Sequence, residues 1–278
     1  MPRTWLRTCL LGAAVIAALI VIGYRNATAQ PLVRRLTLTV QEYPATAGPL
    51  RIALFSDVHV HGPDMPPERV ARIVDQINAL HPDIAIGTGD FVGNSLIGRH
   101  YSVDEAIAPL GKLRARLGAY AVLGNNDYNA GASEVTRALE RAGIRVLADD
   151  AVKVGPIALG GRDGRLYPSP VPLKAARART DAALRRTAGI KILATHRPDE
   201  FAFSPLSTIL VLAGHTHCGQ IVLPLIGPIV TGSDFGRRYS CGVIHDGSRT
   251  LVVTAGLGTS YVPLRFGAPP DIWLITLR

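Results

Sequence analysis

Apolar and polar positions along the first half of the chain form a repeated unit: a short apolar strand, a polar loop and a helical stretch. Residues 51–55 form the first apolar strand, and residues 67–80 carry apolar side chains at helical spacing. The unit recurs, with strands predicted at 84–86 and 119–123 and helices at 103–117 and 133–141. This alternation predicts a mainly parallel sheet with helices packed against it.

The second half of the chain is richer in strands. The pattern predicts one basic helix at 173–186 and strands at 145–147, 152–154, 157–159, 190–193, 209–212, 221–223, 251–254 and 272–276. We therefore expect an α/β fold, a four-layer αββα sandwich of two packed mixed sheets with helices outside. The main domain is predicted over residues 49–278, and residues 26–48 are expected to be a lead-in linker.

The first 25 residues differ from the rest, because residues 8–24 contain no charged side chain. At about 1.5 Å per residue, a helix over this stretch would be roughly 25 Å long, at the short end of what spans a bilayer. We expect an uncleaved N-terminal transmembrane anchor. A secretory signal cleaved after Ala27-Thr28-Ala29 is the alternative.

Basic residues near this segment predict on which side of the membrane the domain lies. Arg3 and Arg7 precede the apolar run and favour a cytoplasmic N-terminus, which would place the domain on the periplasmic side of the inner membrane. Arg34 and Arg35 follow the run, so the cytoplasmic face stays the alternative.

Charge and composition limit the classes of partner that the protein is expected to bind. The net charge is +9, with 26 Arg and 4 Lys, which suits a phosphate-bearing ligand or an anionic membrane. Aromatic residues make up 6% of the chain and do not interleave with arginines along a helix, so we expect no nucleic-acid partner. Nothing in the sequence indicates a protein partner.

The chain has three cysteines, too few for a disulfide scaffold. We expect Cys218 and Cys241 to be free thiols packed in the fold. Pairing of the two in an oxidising compartment is the alternative.

Seven side chains that can bind metal ions stand just after predicted strands: Asp57, His59, Asp90, Asn125, His196, His215 and His217. Loops at the carboxyl ends of strands converge on one crevice, and residues two apart in extended backbone face the same side. Carboxylate, amide and imidazole groups together suit divalent transition metals. Seven ligands exceed the need of one tetrahedral ion and fit two ions about 3.5–4 Å apart that share a ligand. The alternative for each residue alone is a turn or a helix cap.

The strings LFSDVHV, GTGDFV, LGNNDY, THRPDEF, LAGHTHCGQIVLP and TAGLGTSYVPLRFGAPPDIWLI together resemble the calcineurin-like metallophosphoesterases, in particular their membrane-anchored bacterial branch. That branch includes enzymes that cleave UDP-2,3-diacylglucosamine in the lipid A pathway. The resemblance implies two divalent ions (Mn, Fe or Zn) and attack on phosphorus by a metal-bridging hydroxide. It implies a first metal site of Asp57, His59 and His217, a bridging Asp90, and a second site of Asn125, His196 and His215.

One position departs from the family, whose usual motif is Gly-Asn-His followed by an acid. Here Asn126 replaces the histidine that would contact the phosphate and assist the leaving group, and Asp127 follows it. An amide cannot give up a proton at useful pH, so we expect a leaving group that needs none, as in a pyrophosphate or an activated diester. The alternatives are that Asn126 is tolerated drift, or that Asp127, His61 or His245 supplies the acid. Asp90, Asn126 and Asp127 are thus the candidate catalytic residues.

Two weaker signals concern the substrate. Arg265 lies in a Gly- and Pro-rich loop and is predicted, together with Asn126, to bind a substrate phosphate, with a surface salt bridge as the alternative. The apolar stretch 223–230 is expected either to join the core or to line a groove for acyl chains.

The sequence therefore favours a two-metal hydrolase of phosphodiester or pyrophosphate bonds, acting on a lipid-linked substrate such as UDP-2,3-diacylglucosamine. Two alternatives stay open: a periplasmic phosphodiesterase or phosphatase for soluble or cell-wall esters, and a catalytically weak scaffold.

Overall fold

Two six-stranded sheets packed face to face form the centre of the protein, seen in a computed structural model that describes residues 3–93, 95, 97–162, 164 and 173–278. The first half of the chain contributes α1 (Arg3–Ala27), β1 (Leu32–Leu38), β2 (Leu50–Phe55), α2 (Pro67–Ala79), β3 (Ile84–Gly87), α3 (Val103–Ile107), β4 (Ala119–Ala121), α4 (Asn125–Arg141) and β5 (Ile144–Val146). The second half contributes β6 (Asp150–Val154), β7 (Ile157–Arg162), α5 (Leu173–Arg186), β8 (Ile190–Thr195), β9 (Thr208–Ala213), β10 (Val222–Leu223), β11 (Gly227–Pro228), β12 (Gly242–Asp246), β13 (Arg249–Val253) and β14 (Asp271–Leu277).

Both large sheets are mixed. The first has the order β1-β14-β2-β3-β4-β5, in which β2 to β5 are parallel and β14 runs antiparallel to β2. The second has the order β12-β13-β9-β8-β7-β6, in which the inner four strands are parallel and the edge strands antiparallel. The small β10–β11 hairpin stands apart from both sheets. Because the parallel strands in each sheet end at one edge, their following loops gather there.

Three layers of buried apolar side chains hold the sandwich together. The layer between the sheets includes Ile52 and Ile86 from the first sheet and Ile192, Leu210 and Val252 from the second. The outer face of the first sheet packs against α2, α3 and α4, and that of the second packs against α5 and the 3-10 segment Pro198–Phe203. The predicted α/β sandwich of two packed mixed sheets is confirmed.

Three local predictions need correction. The segment predicted as a linker contributes β1, which pairs with β14 from Leu32 to Leu38, so the sheet begins before residue 49. The helix predicted over 103–117 ends at Ile107 and continues only as the 3-10 segment Ala108–Lys112, which contains a proline and a glycine. The helix predicted from residue 133 begins at Asn125, with a kink at Gly131, where φ is 112°.

The N-terminal helix α1 is long and apolar. Within the described residues it is the one helix with the length and composition to cross a membrane, over Arg7–Ala27. Its apolar side chains from Leu10 to Ile22 are exposed, whereas Gly23 and Ala27 are buried against the domain.

Cys218 and Cys241 form a disulfide, with Cα atoms 4.7 Å apart, so the expectation of two free thiols is wrong. The reason is the strand order of the second sheet. The end of β9 pairs with the end of β13 at Ala213 and Val253, and the start of β12 pairs with Val253 through Gly242. The turn after β9 and the residue before β12 therefore meet at the same sheet edge, which sequence spacing does not reveal.

Candidate metal centre

The seven candidate ligand residues all follow strand ends at one edge of the sandwich. The first sheet supplies four of them, through the loops after β2 and β3 and the first residue of α4 after β4. The second sheet supplies the other three, through the turns after β8 and β9. The two sheets face each other, so these loops meet above the shared apolar layer.

The backbone is strained at most of these positions. Positive φ angles, rare for residues other than glycine, occur at Asp57 (49°), His59 (45°), Asp90 (54°), His215 (70°) and His217 (50°). Such conformations cost of the order of 1–3 kcal/mol each and persist where surrounding structure enforces them, typically at functional sites. Five strained residues whose side chains converge on one point therefore indicate a site rather than a set of turns.

Two glycines allow the loops to approach this closely. A Cβ atom on Gly124 would lie 2.1 Å from Asp90 Oδ1, and one on Gly214 would lie 2.0 Å from Ser56 Oγ and 2.3 Å from Asp57 Oδ2. All three distances are far inside van der Waals contact, so a side chain at either position would displace a carboxylate of the centre.

Asp127 ties the loops of the first sheet together. Its fully buried carboxylate accepts hydrogen bonds from the backbone N–H groups of Gly124, Asp90, Phe91 and Val92, at 2.8 to 3.1 Å. Burial and the neighbouring Asp90 carboxylate raise the pKa of Asp127 to about 7, while the N–H donors favour its ionised form. The expected catalytic role of Asp127 is not supported by this position, because its oxygens face backbone and not the cleft.

Asp57, His59 and His217 form the first cluster, and Asp90 adjoins it. The Nε2 atoms of His59 and His217 lie 3.1 Å apart. Asp57 Oδ1 lies 3.6 Å from His217 Nε2 and 3.9 Å from His59 Nε2, and Asp90 Oδ2 lies 3.5 Å from His59 Nε2. Four side-chain ligand atoms from four residues thus surround a common point.

Asn125, His196 and His215 form the second cluster, on the other side of Asp90. His196 Nε2 lies 3.4 Å from Asp90 Oδ2, 3.1 Å from Asn125 Oδ1 and 3.0 Å from His215 Nδ1. The carbonyl of Thr88 lies 2.7 Å from His196 Nδ1 and accepts its N–H, which turns Nε2 toward the other ligand atoms. Asp90 Oδ2 therefore belongs to both clusters.

The spacing of these atoms fits divalent ions. Two atoms that each lie about 2.0–2.2 Å from one ion are about 2.8–3.6 Å apart at octahedral or tetrahedral angles. The shorter separations in each cluster fall in this range, and the longer ones reach 3.9 Å. Buried imidazole nitrogens facing each other are poor partners for one another, so the donor set itself calls for a cation between them.

Burial and neighbouring charges shift the pKa values of the buried groups in the centre in different directions. Burial lowers the pKa of His59 to about 4 and that of His215 to about 3, which keeps both rings neutral and able to bind metal. Burial also acts against charge on His196, but the Asp90 carboxylate prevails and raises the pKa of His196 to about 9. Burial opposes ionisation of Asp90 too, yet His196 and His59 hold its pKa well below the ordinary value.

Asn126 lies at the predicted place beside the centre. Its backbone N–H donates to Asp90 Oδ1 at 2.8 Å, and its Nδ2 donates to Asp90 Oδ2 at 2.7 Å. Among the described residues its buried Oδ1 has no hydrogen-bond partner. The residue lines the cleft in front of the centre.

Arg265 does not line the cleft. Its guanidinium is fully buried and donates to the carbonyls of Ala255, Gly258 and Ala268, while its Nη2 lies 3.2 Å from His217 Nδ1. Both predictions for this residue, a phosphate clamp and a surface salt bridge, are therefore wrong. Arg265 supports the ring of His217 from behind.

The two histidines considered as substitute acids lie elsewhere. His61 is buried with its Nδ1 3.1 Å from Asp64 Oδ1, and His245 bonds Thr250 on the outer edge of the second sheet. Neither is among the described residues that line the cleft.

The cleft in front of the centre has a volume of about 410 Å³. Metal-centre residues form its floor, and one wall is apolar, with Ile221, Ile229, Val230, Tyr261 and Val262. Part of this wall, Tyr261 and Val262, comes from the loop after β13, in which the sequence predicted a substrate contact only for Arg265. The apolar stretch after the GHTH motif gave a signal in the sequence, and it forms an exposed wall rather than core.

Comparison with known proteins gives a family match over this centre. A family model described as calcineurin-like phosphoesterase matches residues 50–219, a range that contains all seven candidate ligand residues. A transmembrane protein with metallophosphoesterase domain from Danio rerio is 31% identical over 98% of this chain and 63% of its own length. This chain therefore spans less than two thirds of that relative. The metallophosphoesterase YkuE of Bacillus subtilis (strain 168) is 32% identical over 82% of this chain and 79% of its own length.

A solved structure supports the fold. The protein TT1561 of Thermus thermophilus superposes with a TM-score of 0.50 at 15% identity, over 75% of this chain and 90% of that chain. At this identity the similarity concerns the fold alone.

Binding of divalent metal is expected to release a proton from His196. With its pKa raised to about 9, this imidazole is protonated at pH 7 in the metal-free protein and must lose the proton to offer Nε2. Affinity for Mn²⁺ should therefore rise as pH increases toward about 9 and fall at lower pH. Calorimetric titrations in buffers of different ionisation enthalpy measure the released proton.

His196→Gln serves as the comparison, since it keeps a polar side chain and removes the titrating ring. It should lose this proton release, whereas His245→Gln on the sheet edge should retain it. Mn²⁺ binding that is independent of pH in the native protein would contradict the account.

Proposed function

This chain belongs to the calcineurin-like phosphoesterase family, and we propose that it cleaves a phosphodiester or pyrophosphate bond in a lipid-linked substrate at the membrane surface. Family membership makes it a hydrolase of phosphoester bonds that uses two divalent metal ions. The observation that supports the narrower substrate class is the cleft, in which the metal centre is continuous with an apolar wall.

In this proposal Asp57, His59 and His217 hold one ion, and Asn125, His196 and His215 hold the other. Asp90 is shared, as its Oδ2 lies within 3.5 Å of both His59 and His196. Two bound ions supply Lewis acidity toward phosphate oxygens and an activated water for attack on phosphorus. Only two of the seven ligand residues are carboxylates, so the loaded centre keeps surplus positive charge that attracts an anionic ester.

Asn126 governs which leaving group is tolerated. Its amide can orient a phosphate oxygen by hydrogen bonding but cannot protonate an alkoxide as it departs. Asp127 is turned to the backbone, and His61 and His245 lie away from the cleft, so none of these three alternative acids is placed to protonate a leaving group. A phosphate leaving group needs no proton, which favours a pyrophosphate or an activated diester.

The apolar wall suits the lipid part of such a substrate. Ile229 and Val230 line the cleft and are also more than 60% exposed, so an acyl chain could lie along them while the phosphate reaches the centre. The α1 helix has the length and composition of a membrane anchor, which would hold the cleft near such a substrate. UDP-2,3-diacylglucosamine is one molecule of this class.

Two features favour the periplasmic side of the membrane. Arg3 and Arg7 precede α1, and the Cys218–Cys241 disulfide is typical of an oxidising compartment. On that side a nucleotide-linked lipid made inside the cell is hard to reach, so another lipid-linked pyrophosphate or a cell-wall ester is favoured there. An alkaline phosphatase fused to the C-terminus should be active; an inactive fusion would place the domain in the cytoplasm and favour UDP-2,3-diacylglucosamine.

Hydrolysis by the full chain reconstituted in phospholipid vesicles tests the substrate class. The protein with Mn²⁺ should cleave a long-chain polyprenyl pyrophosphate with a much lower KM than a water-soluble short-chain analogue, because the chain binds the apolar wall. Asp90→Asn should lose activity on both compounds, whereas the exposed Asp104→Asn should keep it.

Equal KM values for the two pyrophosphates, with Asp90→Asn still inactive, would contradict the lipid-linked substrate and leave the hydrolase in place. Soluble or cell-wall esters would then be the substrates to examine.

Asn126→His is expected to restore a general acid. It should accelerate cleavage of an alkyl phosphomonoester by about 10²-fold or more, and pyrophosphate cleavage much less. Paired kcat measurements on the two substrates provide the check. Equal acceleration of both would show that the asparagine does not select the leaving group.

A further inference from the structure

The β10–β11 hairpin and the two residues after it expose a compact set of apolar side chains. Within residues 223–230, here called the apolar loop, Leu225 is fully exposed and Ile226, Ile229 and Val230 are each at least 60% exposed. Exposed apolar side chains concentrated in so short a segment mark an interaction surface. The segments that lie next to the loop indicate which kind of partner covers it.

Val222, at the root of the apolar loop, is connected to α1 by backbone hydrogen bonds through one intervening segment, residues 265–266. The N–H of Val222 donates to the carbonyl of Phe266, and the N–H of Phe266 donates to the carbonyl of Gln220. On the other side of that segment, the N–H of Arg265 donates to the carbonyl of Gly23 in α1. Paired segments lie about 4.8 Å apart, so the root of the loop lies roughly 10 Å from α1.

The contact between α1 and the domain is close and specific. A Cβ atom on Gly23 would lie 2.7 Å from the ring of Phe266, and Asn26 Nδ2 donates to the carbonyl of Arg265 at 3.1 Å. Toward the N-terminus, Leu19 to Ile22 are exposed, so the helix leaves the domain at Gly23. When α1 spans a bilayer, the membrane surface therefore lies at this end of the domain, beside the apolar loop.

Exposed cations lie in the neighbouring segments of the chain. Arg25 is exposed at the end of α1, and Arg237 and Arg238 are exposed in the segment after the loop. The guanidinium of Arg237 donates to the carbonyl of Ile226, which holds a positive charge against the apolar tip. Apolar side chains flanked by cations match an anionic lipid interface, in which acyl chains lie below phosphate headgroups.

We propose that the apolar loop inserts into the membrane interface beside α1, so that the cleft opens directly onto the lipid. Ile229 and Val230 belong both to the loop and to the cleft wall, which makes a continuous apolar path from the bilayer to the metal centre. This inference rests on the membrane anchor in the proposed function, and it does not require that the substrate be lipid-linked.

Tryptophan quenching by brominated lipid tests the proposal in the full chain. In a Trp5→Phe background, Leu225→Trp is reconstituted in vesicles of phosphatidylcholine and phosphatidylglycerol, with or without bromine on the upper acyl chain. Its emission should shift to the blue and lose intensity in the brominated vesicles. The buried Trp273, 7% exposed, provides a constant background signal.

Leu206→Trp in the same background is the matched control. Leu206 is also a strongly exposed leucine, but it precedes β9, at the end of the sheet opposite the metal centre. Its emission should be unchanged by bromine. Ile226→Trp gives a second reading within the loop, should Leu225→Trp fail to fold.

Emission from the loop that bromine does not quench, in protein that floats with the vesicles, would overturn the proposal. A blue shift without quenching would mean that the loop is buried against a second copy of the chain or another protein instead of lipid. Protein that does not float with vesicles would overturn the anchor together with this inference. None of these readings depends on hydrolysis, so failure of the proposed substrate would be recognised separately.

Discussion

The carboxylate of Asp90 is the group on which the two halves of the centre depend. Its Oδ2 lies 3.5 Å from His59 Nε2 and 3.4 Å from His196 Nε2, so one oxygen belongs to both ligand clusters. Asn126 fixes the orientation of the carboxylate with two hydrogen bonds. The charge of Asp90 also keeps a proton on His196 when no ion is bound. Candidate ligands from two separate sheets would form one binuclear site because this side chain stands between them.

Holding these residues in place costs conformational free energy in the backbone of the loops that carry them. Left-handed backbone at five candidate ligand residues is unfavourable for aspartate and histidine. The buried carboxylate of Asp127 opposes that cost by accepting four backbone N–H groups from the loops after β3 and β4. On the second sheet, Arg265 supports the ring of His217 and the Cys218–Cys241 disulfide fixes the turn that carries it. The buried carboxylate, the buried guanidinium and the disulfide thus all hold candidate metal-ligand side chains in position.

The sequence was sufficient for the layer architecture and for the convergence of the seven polar residues, since strand-loop-helix periodicity and strand-end positions are local signals. It misplaced Arg265, because a buried guanidinium satisfied by backbone carbonyls resembles an exposed phosphate ligand when only its Gly- and Pro-rich surroundings are known. It predicted a catalytic role for Asp127, whose hydrogen-bond partners are backbone N–H groups that leave no signature in the sequence. The disulfide was kept only as the alternative, and β1 was placed in a linker, because both depend on pairing between distant segments.

Anomalous X-ray scattering from crystals of the Mn²⁺-loaded protein tests the central claim most directly. Two anomalous peaks are expected about 3.5–4 Å apart, with the Asp90 carboxylate between them. His59 and His217 should contact one peak, and His196 and His215 the other. A single peak, or two peaks that do not share Asp90, would contradict the binuclear centre described here.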